Sequence, residues 1–345
     1  MDGSRRCAGI ELVEINLDIS MEAQGPFDLI IHKVTDILAR ANDGHVPSKN
    51  AIANLEDYIN LHPGCVVMDP LDSIRCLLNR NSQYRLVLDS DIVKDRRCTV
   101  PTFVALYGTD IEENKERLAQ ADVTFPLVCK PMLAHGTLAH QMSIIFNEDH
   151  LNDISPPCVV QSFINHNAHL FKVLVVGCKQ YVTERPSLKN LYPGNHPTIF
   201  FDTQEVSKPD SDHPLNIIDT LEDQLVKPDF TYLSDLGQKM RQVVDMDLFG
   251  FDVIIDIKTG QYGIIDINVF PGFEAVENFF AVLLDHMLAV LDAGDKGELI
   301  NGHLIPHHLV KAPVSPNSIN YLNSQQLQKK DIHFNGKGRP QKMLL

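Results

Sequence analysis

The 345-residue chain has no run of 18 apolar residues, no Cys-x-x-Cys pair and no surplus of positive charge. Lacking the first, it is not expected to carry a transmembrane helix, which needs about 20 apolar residues to cross the hydrocarbon core. Its start, MDGSRRC, leads into no apolar signal core. The seven cysteines (7, 65, 76, 98, 129, 158, 178) are odd in number and scattered. Neither a disulfide framework nor a zinc site is expected from them, and a reducing, cytoplasmic setting fits. The formal charge of −15 excludes general nucleic-acid binding, which needs a basic face. It still admits an anionic small molecule, because Lys, Arg and His can cluster locally inside an acidic protein. The apolar share of 44% and charged share of 22% are those of a globular fold.

Short strands are expected at 10–17, 27–32 and 65–68, and a helix at 48–62 with Ile52, Leu55 and Ile59 on its apolar face. Asp69-Pro70 reads as the cap and first turn of a further helix. This alternation is an α/β pattern, so residues 1–98 form a first unit. Strands at 125–130, 142–146 and 157–161 make a second unit, 99–164. A third, 165–293, holds a hairpin of 171–177 with 179–187, a second hairpin at 249–269 and a helix at 274–291. The remainder, 294–345, is mildly basic and rich in Gly, Pro, Asn and Gln, and is expected to be disordered.

The segment FGFDVIIDIKTGQYGIIDINVFPGFE, 249–274, is the most informative. It reads as two strands around a three-residue Lys258-Thr259-Gly260 loop with Gly260 left-handed. That loop sets Asp252 opposite Asp266, with Asn268 two positions on and on the same face. Phe251, Val253, Ile255, Ile265, Ile267 and Val269 would form the core face. Two carboxylates at close range repel unless a cation lies between them, and hard oxygen ligands suit Mg²⁺. Solvated acids on a half-exposed hairpin are the plainer reading.

Cationic and hydroxyl groups gather upstream. Lys130 ends the apolar strand FPLVCK, and Ala134-His135-Gly136-Thr137 with His140 forms a short polar loop of a kind that can lie over phosphates. The strand around Gln161 runs into a connection that either frames a ligand or is an ordinary linker. Lys172 sits in a Val/Leu-rich strand, where its head must reach an anion or solvent. Arg185 and Ser187 end the partner strand, and Ser207 and Ser211 lie in a loop with Lys208. Phosphoryl transfer from ATP needs these parts together: cations on phosphates, Mg²⁺ bridging them and a positioned acceptor.

The motifs FPLVCK, AHGT, PPCVVQSFINHNA, RPSLKN, VSKP and FGFDVII…IIDINVFPGFE resemble those of the inositol-tetrakisphosphate 1-kinase (inositol 1,3,4-trisphosphate 5/6-kinase) family, which has the ATP-grasp fold. The resemblance implies an α/β, ATP-grasp protein with a smaller Rossmann-like N-terminal domain. It implies a monomer, away from membranes, that phosphorylates hydroxyls of inositol tris- and tetrakisphosphates with ATP and two Mg²⁺. It assigns Lys130, Gln161, Lys172, Ser187, Ser207 and Ser211 to the nucleotide, and His135, Lys172, Arg185, Asn268 and Gly272 to the inositol phosphate. Asp252, Asp266 and Asn268 become the metal ligands, and His135, Lys172 and Asn268 the catalytic groups. The family's first strand and its lysine-bearing loop are expected to be missing ahead of Glu11, leaving the strand at 10–15 without a neighbour. Two other readings accompany this one: an ATP-grasp carboxylate–amine ligase, and a catalytically weak nucleotide- or inositol-phosphate-binding homologue.

Overall fold

The computed structural model describes residues 5–7, 10–220, 226–295, 299–300, 303–304 and 319–322. Two sheets carry the site. One has six strands, in the order Ile319–Leu322, Lys179–Pro186, His169–Val176, Leu248–Ile255, Tyr262–Val269 and Cys98–Thr99. The other has five, in the order Ile199–Asp202, Gln141–Ile145, Leu127–Pro131, Cys158–Ser162 and Phe103–Leu106. Ile199–Asp202 lies within 165–293 yet pairs antiparallel with Gln141–Ile145. Cys98–Thr99 joins the larger sheet parallel to Tyr262 and Gly263.

Near the N-terminus, Leu29–Ile31 and Val66–Met68 form a two-stranded parallel pair. Helix Val46–Leu61 starts close to expectation, with the His45 ring accepting from the Ser48 N–H and Pro47 in the first turn. Expectation fails at Asp69. Helix Leu71–Leu77 has no side-chain cap. The buried Asp69 carboxylate instead accepts the N–H groups of Asp247 at 2.6 Å and Leu248 at 3.1 Å. It ties this N-terminal unit to the large sheet. The strand Ile10–Leu12 is shorter than expected and has a neighbour after all, pairing antiparallel with Arg5–Cys7.

Helix Phe230–Val244, which the sequence reading passed over, begins at Asp229, whose carboxylate accepts the Tyr232 N–H at 3.0 Å. It buries Leu233, Leu236, Met240 and Val244, one stripe at helical spacing, in the same core as Phe249, Phe251 and Val253 of the large sheet. Helix Phe279–Asp295 starts later than expected because 274–278 is irregular. Of the expected disordered tail, the strands at 299–300, 303–304 and 319–322 are seen, the last parallel to Lys179–Pro186. The rest of that expectation lies outside the described residues. No described helix is long and apolar enough to cross a membrane.

In the hairpin, Asp252 does face Asp266, and Gly250 faces Asn268. The route to that register differs from the expected one. The connection is 257–260, closed by Gly260 N–H to Asp256 O at 2.8 Å and Asp256 N–H to Gln261 O at 2.9 Å, with Gly260 at φ +73°. Near the turn Val253 therefore pairs with Ile264 and Ile255 with Tyr262, one residue out of step. A bulge beyond Asp252 takes up the difference. Its extra residue is Ile265, expected in the core, which lines a cavity beside Asp266 while the fully buried Ile264 fills the core instead.

Candidate active site

A cavity of about 580 Å³ is lined by residues of both sheets and by Arg80. Lys130, Gln161, Lys172, Arg185, Ser187, Ser207, Asp252, Asp266 and Asn268 all line it. These side chains lie up to 138 positions apart, from Lys130 to Asn268, yet paired strands turn all but Ser187 and Ser207 to one space, and those two come from the connections that follow Lys179–Pro186 and Thr203–Val206.

Each carboxylate of the hairpin already has one oxygen engaged. Lys172 Nζ donates to Asp252 Oδ2 at 2.8 Å, and Arg80 Nη1 donates to Asp266 Oδ1. The second oxygen of each carboxylate has no hydrogen bond to a described residue, and Asn268 adds an amide oxygen. Burial pushes the Asp252 carboxyl up, with Lys172 pulling against it. Burial also acts on Asp266, but Arg80, Lys130 and Lys172 outweigh it and hold that carboxyl below the usual range. Two carboxylates and an amide form an oxygen-only donor set that fits a hard divalent cation such as Mg²⁺. Among the described residues no group of three or more His, Cys, Asp or Glu is placed to hold a metal.

Lys130 is 4% exposed. Its Nζ donates to Ile265 O at 2.7 Å, the carbonyl exposed by the bulge, and to the Tyr84 hydroxyl at 2.9 Å. Tyr84 is fully buried, its hydroxyl 2.6 Å from Gln161 Oε1 and also from Ile265 O. Burial, helped by the Arg80 charge, brings the Lys130 ammonium down to about 7. An arriving anion would hold it protonated. Arg185 Nη1 is buried without a partner among the described residues, a donor that suits a phosphate oxygen. Ser187 Oγ lies 2.8 Å from His166 Nε2, whose Nδ1 is 2.6 Å from Ile164 O. A carbonyl only accepts, so Nδ1 carries the proton and Ser187 donates to Nε2.

Three assigned residues do not line the cavity. His135 pairs with Asp36 of helix Thr35–Asn42, on a loop whose far end, His140, does line it. Ser211 is occupied within its own loop, its Oγ 2.7 Å from Glu205 O and from Asn216 Oδ1. Gly272 is exposed beside Glu274. Arg80 and Tyr84 were missed. Asn79 caps their helix, Arg80–Leu88, and nothing in the local sequence sets either residue apart from ordinary helix positions.

A family model for the inositol 1,3,4-trisphosphate 5/6-kinase ATP-grasp domain matches residues 92–289, and one for the pre-ATP-grasp domain of the same kinases matches 2–74. The chain belongs to this family. Its fold is therefore ATP-grasp, preceded by the pre-ATP-grasp unit that holds Leu29–Ile31 and Val66–Met68. The chain is 43% identical to inositol-tetrakisphosphate 1-kinase of Danio rerio over 88% of its length and 76% of the relative's. For the Xenopus laevis enzyme of that name the values are 42%, 84% and 74%. For inositol-tetrakisphosphate 1-kinase 1 of Oryza sativa subsp. indica they are 32%, 83% and 78%. Among solved structures, ATP-grasp ligase PsnB with its minimal precursor aligns over 71% of each chain at 11% identity, with a TM-score of 0.45.

Proposed function

We propose that the chain is an ATP- and Mg²⁺-dependent kinase that phosphorylates hydroxyls of inositol tris- and tetrakisphosphates. One observation carries this beyond family membership: Lys130, Lys172, Arg185 and the Asp252–Asp266–Asn268 set line a single cavity. Lys130, Gln161, Ser187 and Ser207 are the nucleotide contacts in this reading, and Lys172, Arg185, Asn268 and the His135 loop hold the inositol phosphate. Gly272 and Ser211 would contribute only if their loops move. Asp252, Asp266 and Asn268 would hold Mg²⁺, two ions in this reading, which neutralise charge on the transferring phosphoryl group.

The chain offers no covalent nucleophile in this scheme. Lys130 and Arg185 bind anionic oxygens, Lys172 bridges the metal side and the acceptor side, and positioning does the rest. His135, whose imidazole pairs with Asp36 outside the cavity, would accept the hydroxyl proton in this reading only if its loop moves to the acceptor. A cytoplasmic monomer is the form proposed. The test is incubation with Mg-ATP and a panel of inositol tris- and tetrakisphosphates, reading ADP and the phosphorylated product. Folded protein that releases ADP with none of them refutes the reading. Trapping of an acyl phosphate by hydroxylamine with a carboxylate substrate would replace it with a ligase.

A further inference from the structure

Arg80 belongs to neither sheet, yet its guanidinium is 3% exposed and reaches into the cavity. We propose that Arg80 is a positioning residue: it fixes the Asp266 carboxylate for the metal and fastens the 137–140 turn to the same hairpin. The inference rests on the metal-dependent kinase reading above.

The contacts run to two parts of the molecule. Nη1 donates to Asp266 Oδ1 on strand Tyr262–Val269, and Nη2 donates to Ala139 O in the turn at 2.9 Å. Around it the backbone is stitched to the same loop: Arg80 N–H donates to Met132 O at 3.0 Å, and Ala134 N–H to Leu78 O at 2.9 Å. Residues 78–80 thus grip the loop that carries His135 near its beginning, and the Arg80 side chain grips its end. Meanwhile Arg80 Nε is buried without a partner among the described residues. The guanidinium is oriented by its two targets at the expense of its third donor group. By taking Oδ1 of Asp266, Arg80 leaves Oδ2 as the oxygen available to a cation. A planar fork with donors on separate nitrogens can hold both targets at once, whereas a lysine offers one point charge.

Such outer groups commonly govern metal affinity through the ligand they orient. Two opposed effects follow from removing Arg80, and they separate the proposal from a simpler role. Loss of a positive charge near Asp266 should tighten cation binding if Arg80 is only a counter-charge. Loss of orientation should weaken it.

The experiment uses the full chain, Arg80→Met and Arg80→Lys, with Mn²⁺ as the probe and free Mn²⁺ counted by electron paramagnetic resonance. Hydrogen exchange is followed in peptides spanning 136–143. Arg80→Met is expected to bind Mn²⁺ roughly tenfold more weakly than the parent, despite the lost positive charge, with faster exchange at 136–143. Arg80→Lys should regain part of the Mn²⁺ affinity but not the exchange protection. Unchanged or tighter Mn²⁺ binding in Arg80→Met overturns the proposal while leaving the metal reading intact. A parent that binds no Mn²⁺ overturns the metal reading and this inference with it. Should Arg80→Met fail to fold, Arg80→Lys carries the test, and parent-like Mn²⁺ affinity and exchange in that variant overturn the proposal.

Discussion

Lys172 and Asp252 stand opposite one another on adjacent antiparallel strands, with the ammonium nitrogen 2.8 Å from a carboxylate oxygen. With Arg80 on Asp266, this pair gives each acid of the metal-type hairpin its own protein cation. The acids therefore do not confront one another unscreened, and the repulsion expected from sequence is answered within the chain.

Lys172→Met leaves Asp252, 8% exposed, without its counter-ion. In metal-free buffer the variant should lose about 1–2 kcal/mol, less than a fully buried pair costs because Lys172 is itself partly exposed. Mg²⁺ should restore more stability to the variant than it adds to the parent, since a divalent ion can take the vacated place. Thermal melting with and without Mg²⁺ reads both effects. Melting identical to the parent in the metal-free arm would show that the ion pair contributes nothing.

Asp266→Asn should abolish turnover. Repulsion between two carboxylates alone would predict equal or better stability for the metal-free variant. The buried Arg80 reverses that sign: its guanidinium is left facing a neutral amide, at a cost of about 2 kcal/mol. Urea unfolding of the metal-free protein decides, and a rise in stability would mean that carboxylate repulsion outweighs the Arg80 pair.

Tyr84→Phe keeps the ring in its buried site against Phe103 but removes an acceptor for Lys130 and the Gln161 partner. Stability should fall by about 1–3 kcal/mol, the range for a buried hydrogen-bond partner left unpaired. The KM for ATP should rise while the KM for the inositol phosphate stays near the parent value. Equal increases in both would place Tyr84 outside the nucleotide end of the cavity.

Two buried histidines set an acid limit on stability. Burial lowers His166 and His32 from 6.5 to about 4. Between those values the unfolded chain takes up protons that the folded chain refuses, so stability falls as pH drops from 6.5 toward 4. Each contributes on the order of 3 kcal/mol by the lower end of that window. His166→Gln should flatten the fall, as seen in denaturation midpoints between pH 7 and 4. An unchanged slope would mean that the ring is protonated in the folded protein.

The period-2 pattern of 249–255 and 262–269 and the special conformation of Gly260 were legible locally, whereas Asp252 faces Asp266 as expected only because a bulge offsets the different turn. The α/β alternation was legible too, because side-chain direction along a strand follows from sequence order alone. The motif set fixed the family, since those residue strings are specific and extend along most of the chain. What the sequence could not supply were the partners that arrive from far along it. The bulge that turns Ile265 and its carbonyl toward Lys130 arises from a one-residue difference between the turn's register and the register around Asp252. Asp69 looked like a helix cap, but two N–H groups at 247 and 248 compete for it and win. Arg80 and Tyr84 read as ordinary helix residues until the fold sets them against strand Tyr262–Val269. Helix propensity and strand alternation are local, whereas satisfying a buried charge or hydroxyl depends on which distant group the packed chain brings within about 3 Å.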